Sequence, residues 1–176
     1  MFQKILVALD KSEISNQVFH AALNLAKSNH ASLLLLHVLS FEEEDYPIVV
    51  GHTSLNYNLE GMDSAIKQFE QQWRAYEHQG IEMLRSRTTT ATAAGVPTEY
   101  IQCLGGPGAC ICANAREWGA DLVVIGRRRL SILRELVLGS VSNYVIHHAP
   151  CNVLTVQSIV QKNVHAEPLQ AAELSP

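Results

Sequence analysis

Two hydrophobic patterns alternate along the chain. Continuous apolar runs at 5–9 and 33–38 are typical of strands that are covered on both faces, as in a parallel sheet. Between these runs, apolar residues recur at the spacing of a helix, namely Ile14, Val18, Ala21 and Leu25. The alternation of strand and helix predicts an α/β fold, a doubly wound parallel sheet with right-handed crossovers.

Three more strands are predicted further along the chain, at 98–104, 121–125 and 151–156. A long helix precedes the first of them and ends at Gly95-Val96-Pro97. Its predicted buried stripe consists of Ile66, Phe69, Trp73, Tyr76 and Met83. A third helix follows Gly106-Pro107, and a short fourth helix is predicted from about Ser140 to His148. The domain is expected to span 1–157, with 158–176 as a flexible tail.

The least regular stretch of the chain is 39–61, between the second strand and the long helix. It carries an acidic run, Glu42-Glu43-Glu44-Asp45. A segment of this length is either a functional lid or a mobile connection. We expect the acidic run to be a solvated connection, with closure over a ligand or contact with a partner as the alternatives.

Composition indicates one soluble folded domain and excludes several partner classes. The chain has 176 residues, 47% of them hydrophobic and 17% charged, which is enough for one sizeable core. The net charge of −4 argues against a nucleic-acid partner, because such proteins carry a clustered basic face. No apolar run approaches the roughly 18 residues of a membrane span, so no membrane partner is expected. Three of the four cysteines lie inside predicted strands or helices, which indicates reduced thiols and a cytoplasmic protein.

The motifs of several familiar enzyme classes are missing. The sequence has no G-x-x-x-x-G-K-[ST] phosphate loop and no G-x-G-x-x-G after the first strand. The third predicted strand ends in Cys103-Leu104-Gly105, where a phosphoacceptor receiver domain would need an aspartate. Neither Ser140 nor Ser142 stands in a G-x-S-x-G nucleophile elbow, and His147-His148 with Cys151 lacks a fourth metal ligand in evident reach. We therefore predict no catalytic residue and no metal site.

The segment from Gly126 to Ser142 is the strongest candidate for a functional site. In doubly wound sheets, ligands bind outside the carboxyl ends of the strands, and Asp10, Val38 and Gly126 all follow apolar runs at such ends. Gly139 and Ser140 open a predicted helix, whose free N–H groups and dipole favour an anion. The plainer interpretation is that Ser140 only caps the helix and Gly139 only makes the turn. Composition alone supports both interpretations equally.

Several segments together resemble the universal stress protein family. The first is Lys4-Ile5-Leu6-Val7-Ala8-Leu9-Asp10-Lys11-Ser12, which is similar to the first strand and turn of that family. Gly106-Pro107 before the third helix also fits. The carboxyl half adds 121–126, then Gly139-Ser140-Val141-Ser142, then 147–154. The resemblance covers essentially residues 2–157.

This resemblance implies a fold and a ligand. The family fold has five parallel strands in the order 3-2-1-4-5, which places Asp10 beside Gly126. Members that bind ATP carry a glycine, two residues, a glycine, nine residues, and then glycine with serine or threonine. By that pattern Asp10 contacts the adenosine and Val38 lies by the adenine. The residues implied for ribose and phosphates are Gly126, Gly139, Ser140, Ser142 and the backbone of Val141.

Ser12 and the cluster Arg127-Arg128-Arg129 complete the candidate site. Ser12 lies in the turn after the first strand, and the basic cluster suits one small anion better than a polymer. The second glycine of the family pattern falls on Arg129. Its side chain either swings outward or clamps the phosphate, which retains binding, or fills the cleft and shortens or excludes the phosphate chain. We expect retained binding of ATP or AMP, with Mg2+ as an optional companion.

Three functions remain open. The first is a nucleotide-binding stress-response protein that acts through nucleotide-dependent conformation or partner choice. The second is a nucleotide-independent interaction module of the same fold, and the third is a weak ATPase, with slow hydrolysis at most. The fifth strand, from Cys151 to Val156, is an apolar sheet edge, and the family pairs this strand across a two-fold axis. A homodimer is therefore expected.

Overall fold

A computed structural model of the protein describes residues 1–41, 43, 46–47, 59–127 and 139–157. Arg129, most of the acidic run and the predicted tail 158–176 lie outside the described residues. Within the described ranges, none of the helices has the length and apolar character needed to cross a membrane.

Strands and helices alternate along the described chain. The elements are β1 (Lys4–Leu9), α1 (Ile14–Asn29), β2 (Ser32–Leu39), α2 (Leu59–Ala93), β3 (Thr98–Leu104), α3 (Pro107–Trp118), β4 (Leu122–Arg127), α4 (Ser140–His148) and β5 (Asn152–Gln157). The sheet has the order β3-β2-β1-β4-β5, and each neighbouring pair is parallel. The predicted doubly wound α/β fold and strand order are confirmed.

The core lies in two layers, one on each face of the sheet. Alternate residues of a strand point to opposite faces, so Ile5 and Val7 join one layer and Leu6 joins the other. The first layer is covered by α1 and α2, and the second by α3 and α4. Since β1 and β2 are buried on both faces, they are apolar without alternation at 5–9 and 33–36, and His37 is a buried polar exception.

The buried stripe of α1 differs slightly from the one that the sequence predicts. Ile14 and Val18 are buried as expected, but Ala21 and Leu25 are only partly buried. The buried residues continue instead through Phe19, Ala22, Leu23 and Ala26. The buried face of α1 is wider than the single predicted row of residues, because the helix packs against β1, β4 and β5.

The predicted stripe of α2 is wrong in its first part. Ile66 is 48% exposed, and Tyr76 is the buried aromatic residue of the stripe. The buried positions are Tyr76, Gly80, Leu84 and Ala91, at helical spacing. Ile66 lies near the beginning of this 35-residue helix and away from the core, so local periodicity alone does not identify the buried face.

Gly80 lets α2 approach the sheet closely. A Cβ atom placed on Gly80 would lie 2.5 Å from Nδ1 of His37 on β2 and would collide with the side-chain amide of Gln102 on β3. His37 has no solvent exposure, so it has little room to move. Glycine in this helix is therefore a packing requirement.

We expect Gly80→Ala to lower the free energy of unfolding by about 1–3 kcal/mol through overpacking. At an exposed helix position the same change would stabilise the protein by about 1 kcal/mol. Ser86→Ala, at an exposed site on the same helix, is the matched control and should be neutral or slightly stabilising. Urea titration followed by circular dichroism measures both variants, and a stabilising Gly80→Ala would contradict this account of the packing.

Candidate functional site

The carboxyl ends of the strands and the beginnings of α1, α3 and α4 meet at one edge of the sheet. They surround a cavity, called the edge cavity below, at the point where β1 lies between β2 and β4. The residues that line it are Ala8, Leu9, Asp10, Ile14, Ser15, Val18, Leu36, Val38, Ser40, Glu43, Pro107, Ile111, Ile125, Gly126, Gly139, Ser140, Val141 and Ser142. Doubly wound sheets bind ligands at this switch point.

Most of the site residues predicted from the sequence lie together in this cavity. Those that line it are Asp10, Val38, Gly126, Gly139, Ser140, Val141 and Ser142. Ser12 and Arg127 are not among the lining residues. The effect of Arg129, which lies outside the described residues, stays a prediction.

The turn between β1 and α1 holds Asp10 in a fixed position. Its Oδ1 accepts hydrogen bonds from the backbone N–H of Ser12, at 3.0 Å, and from the Ser12 hydroxyl. Its own backbone N–H donates to Oγ of Ser15, at 3.1 Å. Ser12 does not cap α1, because its hydroxyl is committed to Asp10 and the helix begins after Glu13 without a side-chain cap. Ser12 thus orients the carboxylate from behind rather than lining the cavity.

Arg87 of α2 secures the same turn from the outer side. Its guanidinium donates to Oγ of Ser15, at 3.0 Å, and to Oδ1 of Asn16, at 3.1 Å. Partial burial lowers the pKa of Arg87, and the nearby carboxylate of Asp10 opposes that shift. The long helix therefore braces the turn that carries Asp10, although the two residues lie far apart in sequence.

The beginning of α4 carries one exposed serine and one buried serine that is hydrogen-bonded to β4. Ser140 is the first helical residue and is exposed, whereas Ser142 is buried and donates its hydroxyl to the carbonyl of Gly126, at 3.1 Å. A Cβ on Gly126 would lie 3.1 Å from Val18 and 3.2 Å from Ile14, so this glycine lets α1 pack on β4. A Cβ on Gly139 meets no described atom within 4 Å.

A buried polar network lies at the carboxyl end of β2. His37 has no solvent exposure, and its Nε2 lies 3.1 Å from Oε1 of Glu43. The hydroxyl of Tyr76 lies 2.6 Å from Oε2 of Glu43 and accepts the backbone N–H of Ser40, at 3.1 Å. Gln102 completes the network through its amide nitrogen, 3.0 Å from Nδ1 of His37. A polar cluster buried in this way is held rigidly, because each broken bond would leave a desolvated group.

The expectation that the acidic run is a solvated connection is wrong for Glu43. Its side chain is only 9% exposed and lines the edge cavity. Glu42, Glu44 and Asp45 lie outside the described residues. Ser15 and Ser40 also line the cavity but are not predicted from the sequence. The only available signal was their position, in the first turn of α1 for Ser15 and directly after β2 for Ser40.

The thiols of the second layer are unsuited to nucleophilic chemistry. Burial, aided by the neighbouring Cys110, raises the pKa of Cys103 to about 12. Burial also raises the pKa values of Cys112 and Cys151. These thiols stay protonated at neutral pH, and the thiolate is the reactive form. Among the residues that the structure describes, no group of three His, Cys, Asp or Glu side chains could hold a metal ion.

Known proteins resemble this chain both in sequence and in fold. A universal stress protein of Synechocystis is 38% identical over 161 residues, which cover 89% of this chain and 98% of that protein. The solved structure of the universal stress protein UspA from Lactobacillus plantarum is 22% identical, with a TM-score of 0.64, and the match covers 88% of this chain and 97% of that one. An Arabidopsis thaliana structure of the same family with AMP bound is 23% identical, with a TM-score of 0.57 and coverage of 88% and 91%. The model of the universal stress protein family matches residues 1–157. The chain therefore belongs to the universal stress protein family.

Proposed function

We propose that the protein binds an adenine nucleotide in the edge cavity. The observation that carries this proposal is the arrangement of the cavity lining. The beginning of α4 lies at one end, and apolar side chains with the hydrogen-bonded carboxylates of Asp10 and Glu43 lie on the side of β1 and β2. The first N–H groups of a helix have no partner within the helix, so the beginning of α4 at Ser140 offers donors to a phosphate.

The order of the strands gives the ligand a direction. Gly126 on β4 lies at the α4 end, Asp10 follows β1 in the middle, and Val38 lies on β2 at the far end. Neighbouring strands lie about 4.8 Å apart, so the cavity edge runs roughly 10 Å from β4 to β2. That length suits a nucleotide with its phosphates at α4, its ribose by Asp10 and its base by Val38.

The AMP-bound Arabidopsis relative supports this ligand class, since it has the same fold. AMP and ATP, the latter with or without Mg2+, differ in the number of phosphates that would extend beyond the start of α4. An outward or clamping Arg129 retains the longer phosphate chain, whereas an Arg129 that fills the cleft leaves AMP as the ligand.

The consequence of binding that we propose is regulatory. The cavity lies between α1 and α4, so an occupied site fixes these helices against each other and changes the surface that a partner meets. The described lining residues include no obvious pairing of nucleophile and base, so hydrolysis would be slow at most. The cytoplasm, which supplies nucleotides and keeps the four free cysteines reduced, is the compartment we propose.

Calorimetry with AMP, ADP and ATP tests the proposal directly. We expect at least one of them to bind with measurable heat at ligand concentrations up to the millimolar range. Mass spectrometry of small molecules released from the denatured protein is the companion measurement, and an adenine nucleotide should be found. Absence of heat with all three nucleotides would refute the proposal and favour a nucleotide-independent interaction module.

Gly139→Asp separates binding from folding. The added carboxylate has open space among the described residues and stands at the N-cap of α4, where aspartate is favourable to a helix. We expect unchanged or higher thermal stability, but an affinity for AMP reduced by roughly tenfold or more through charge repulsion. Gly139→Asn, the neutral variant of the same shape, should retain most of the affinity. Equal affinities of the two variants would place the phosphate elsewhere.

Replacing Ser140 and replacing Ser142 by alanine should affect different properties, nucleotide binding in the first case and stability in the second. Ser142→Ala removes the bond to the carbonyl of Gly126 and should lower the free energy of unfolding by about 1 kcal/mol. Ser140→Ala removes an exposed hydroxyl at the helix start and should chiefly weaken nucleotide binding, by about tenfold. Thermal melting and calorimetry on both variants check this, and a reversed pattern would contradict the assigned roles.

We also propose a homodimer formed through β5. This strand ends the sheet and exposes Leu154, and Tyr144 and Ile146 of α4 are exposed as well. Light scattering should give twice the chain mass of 19.4 kDa, and Leu154→Lys should shift it to the monomer. Leu104→Lys, on the exposed edge strand β3, is the matched control and should leave the dimer intact. A monomeric wild-type protein would overturn this proposal.

A further inference from the structure

We propose that Glu43 makes the edge cavity select nucleotides whose base carries an amino group, adenine rather than hypoxanthine. This inference rests on the proposed function and names a specificity residue for the same site. It depends on three observations: the cavity position of Glu43, the direction of each hydrogen bond around it, and its place at the base end of the cavity.

The hydrogen bonds of Gln102 fix the form of His37. The amide nitrogen of Gln102 lies 3.2 Å from the backbone carbonyl of Glu77, which can only accept, so this nitrogen is a donor. It therefore also donates to Nδ1 of His37, at 3.0 Å. With Nδ1 accepting, the ring proton of neutral His37 is on Nε2 and is donated to Glu43.

Tyr76 supplies the second donor. Its hydroxyl oxygen accepts the backbone N–H of Ser40, and its proton faces two acceptors, the carbonyl of Ser40 at 3.3 Å and Oε2 of Glu43 at 2.6 Å. The contact with Glu43 is much the shorter, so the hydroxyl donates to the carboxylate. Each oxygen of Glu43 thus faces a donor: Oε1 faces His37 of β2, and Oε2 faces Tyr76 of α2. With a donor on each oxygen, the side chain of Glu43 acts here as a hydrogen-bond acceptor.

Each carboxylate oxygen of Glu43 has two acceptor directions, and among the described residues each oxygen receives one side-chain donor, His37 or Tyr76. The group also lines the cavity, so the remaining acceptor directions are available to a ligand. Ser40 and Glu43 both follow β2, beyond Val38, at the end of the cavity that is farthest from α4. A nucleotide with its phosphates at Ser140 has its base at this end.

An acceptor-only group discriminates between base edges. The exocyclic amine of adenine donates a hydrogen bond to a carboxylate, whereas the carbonyl oxygen of hypoxanthine would be repelled by it. A hydrogen bond to a charged group changes affinity by about 10- to 100-fold. The hydrogen bonds from His37 and Tyr76 prevent Glu43 from rotating away to suit the wrong base, so the discrimination is built into the fold.

The test compares AMP, inosine monophosphate and purine riboside monophosphate, which lacks the amine, by calorimetry. We expect the wild-type protein to bind AMP at least tenfold more tightly than inosine monophosphate, with purine riboside monophosphate between them. In Glu43→Gln, whose amide can donate as well as accept, the ratio of the AMP and inosine monophosphate affinities should fall to near one. Glu77→Gln, an exposed carboxylate on α2, is the matched charge control and should keep the wild-type ratio.

Each outcome decides the proposal. A wild-type ratio near one, or an unchanged ratio in Glu43→Gln, overturns the specificity role and leaves nucleotide binding intact. Failure of every nucleotide to bind overturns the proposed function and this inference together. If Glu43→Gln does not fold by circular dichroism, Glu43→Asp replaces it: this variant keeps the charge but withdraws the carboxylate, and it should lose AMP affinity without losing affinity for inosine monophosphate.

Discussion

The right-handed crossover between parallel strands is the constraint on which the rest of the structure depends. Each strand must be followed by a helix that packs back on the sheet, so every strand ends and every covering helix begins at the same edge. In this chain that rule brings Asp10, Val38 and Gly126 beside the beginnings of α1, α3 and α4. The edge cavity is a consequence of topology before any polar residue is considered.

Close approach of helices to the sheet then shapes the cavity. Gly80 admits α2 against His37 and Gln102, Gly126 admits α1, and Gly108 admits the ring of Tyr144 from α4, 2.6 Å from where a Cβ would stand. These three glycines lie within helices or strands, where they allow close packing and do not form turns. Gly139 differs from them, since its missing side chain faces no described atom. That contrast separates the glycines that allow close packing from Gly139, where a side chain would meet no described atom.

The polar groups of the cavity divide between its two ends. Carboxylates stand on the side of β1 and β2, at Asp10 and Glu43, and each is held by donors behind it. The α4 end offers backbone N–H groups and the hydroxyl of Ser140 instead. Donors attract phosphate oxygens, and acceptors attract the amine and hydroxyl groups of a nucleoside. This division of donors and acceptors predicts how the proposed nucleotide is oriented in the cavity of this universal stress protein.

The sequence by itself determined the order of the elements, the parallel sheet and some of the residues that line the cavity. Continuous apolar runs identify buried strands, and the residue that follows each run lies at the carboxyl edge, so Asp10 and Gly126 could be located without coordinates. Val38 and the helix start at Gly139 and Ser140 were candidates on the same grounds, and the family resemblance added the roles that they would take toward a nucleotide.

Only the tertiary structure decided which side chains support the site. Arg87 meets Ser15 across 72 positions of sequence, and Gln102 meets His37 across 65. It also showed that Ile66 is exposed and that Glu43, in an acidic run typical of solvated loops, is buried beside Tyr76. Local patterns report the period and polarity of neighbouring residues, whereas these contacts depend on where α2 lies on the sheet, and close packing at Gly80 fixes that position.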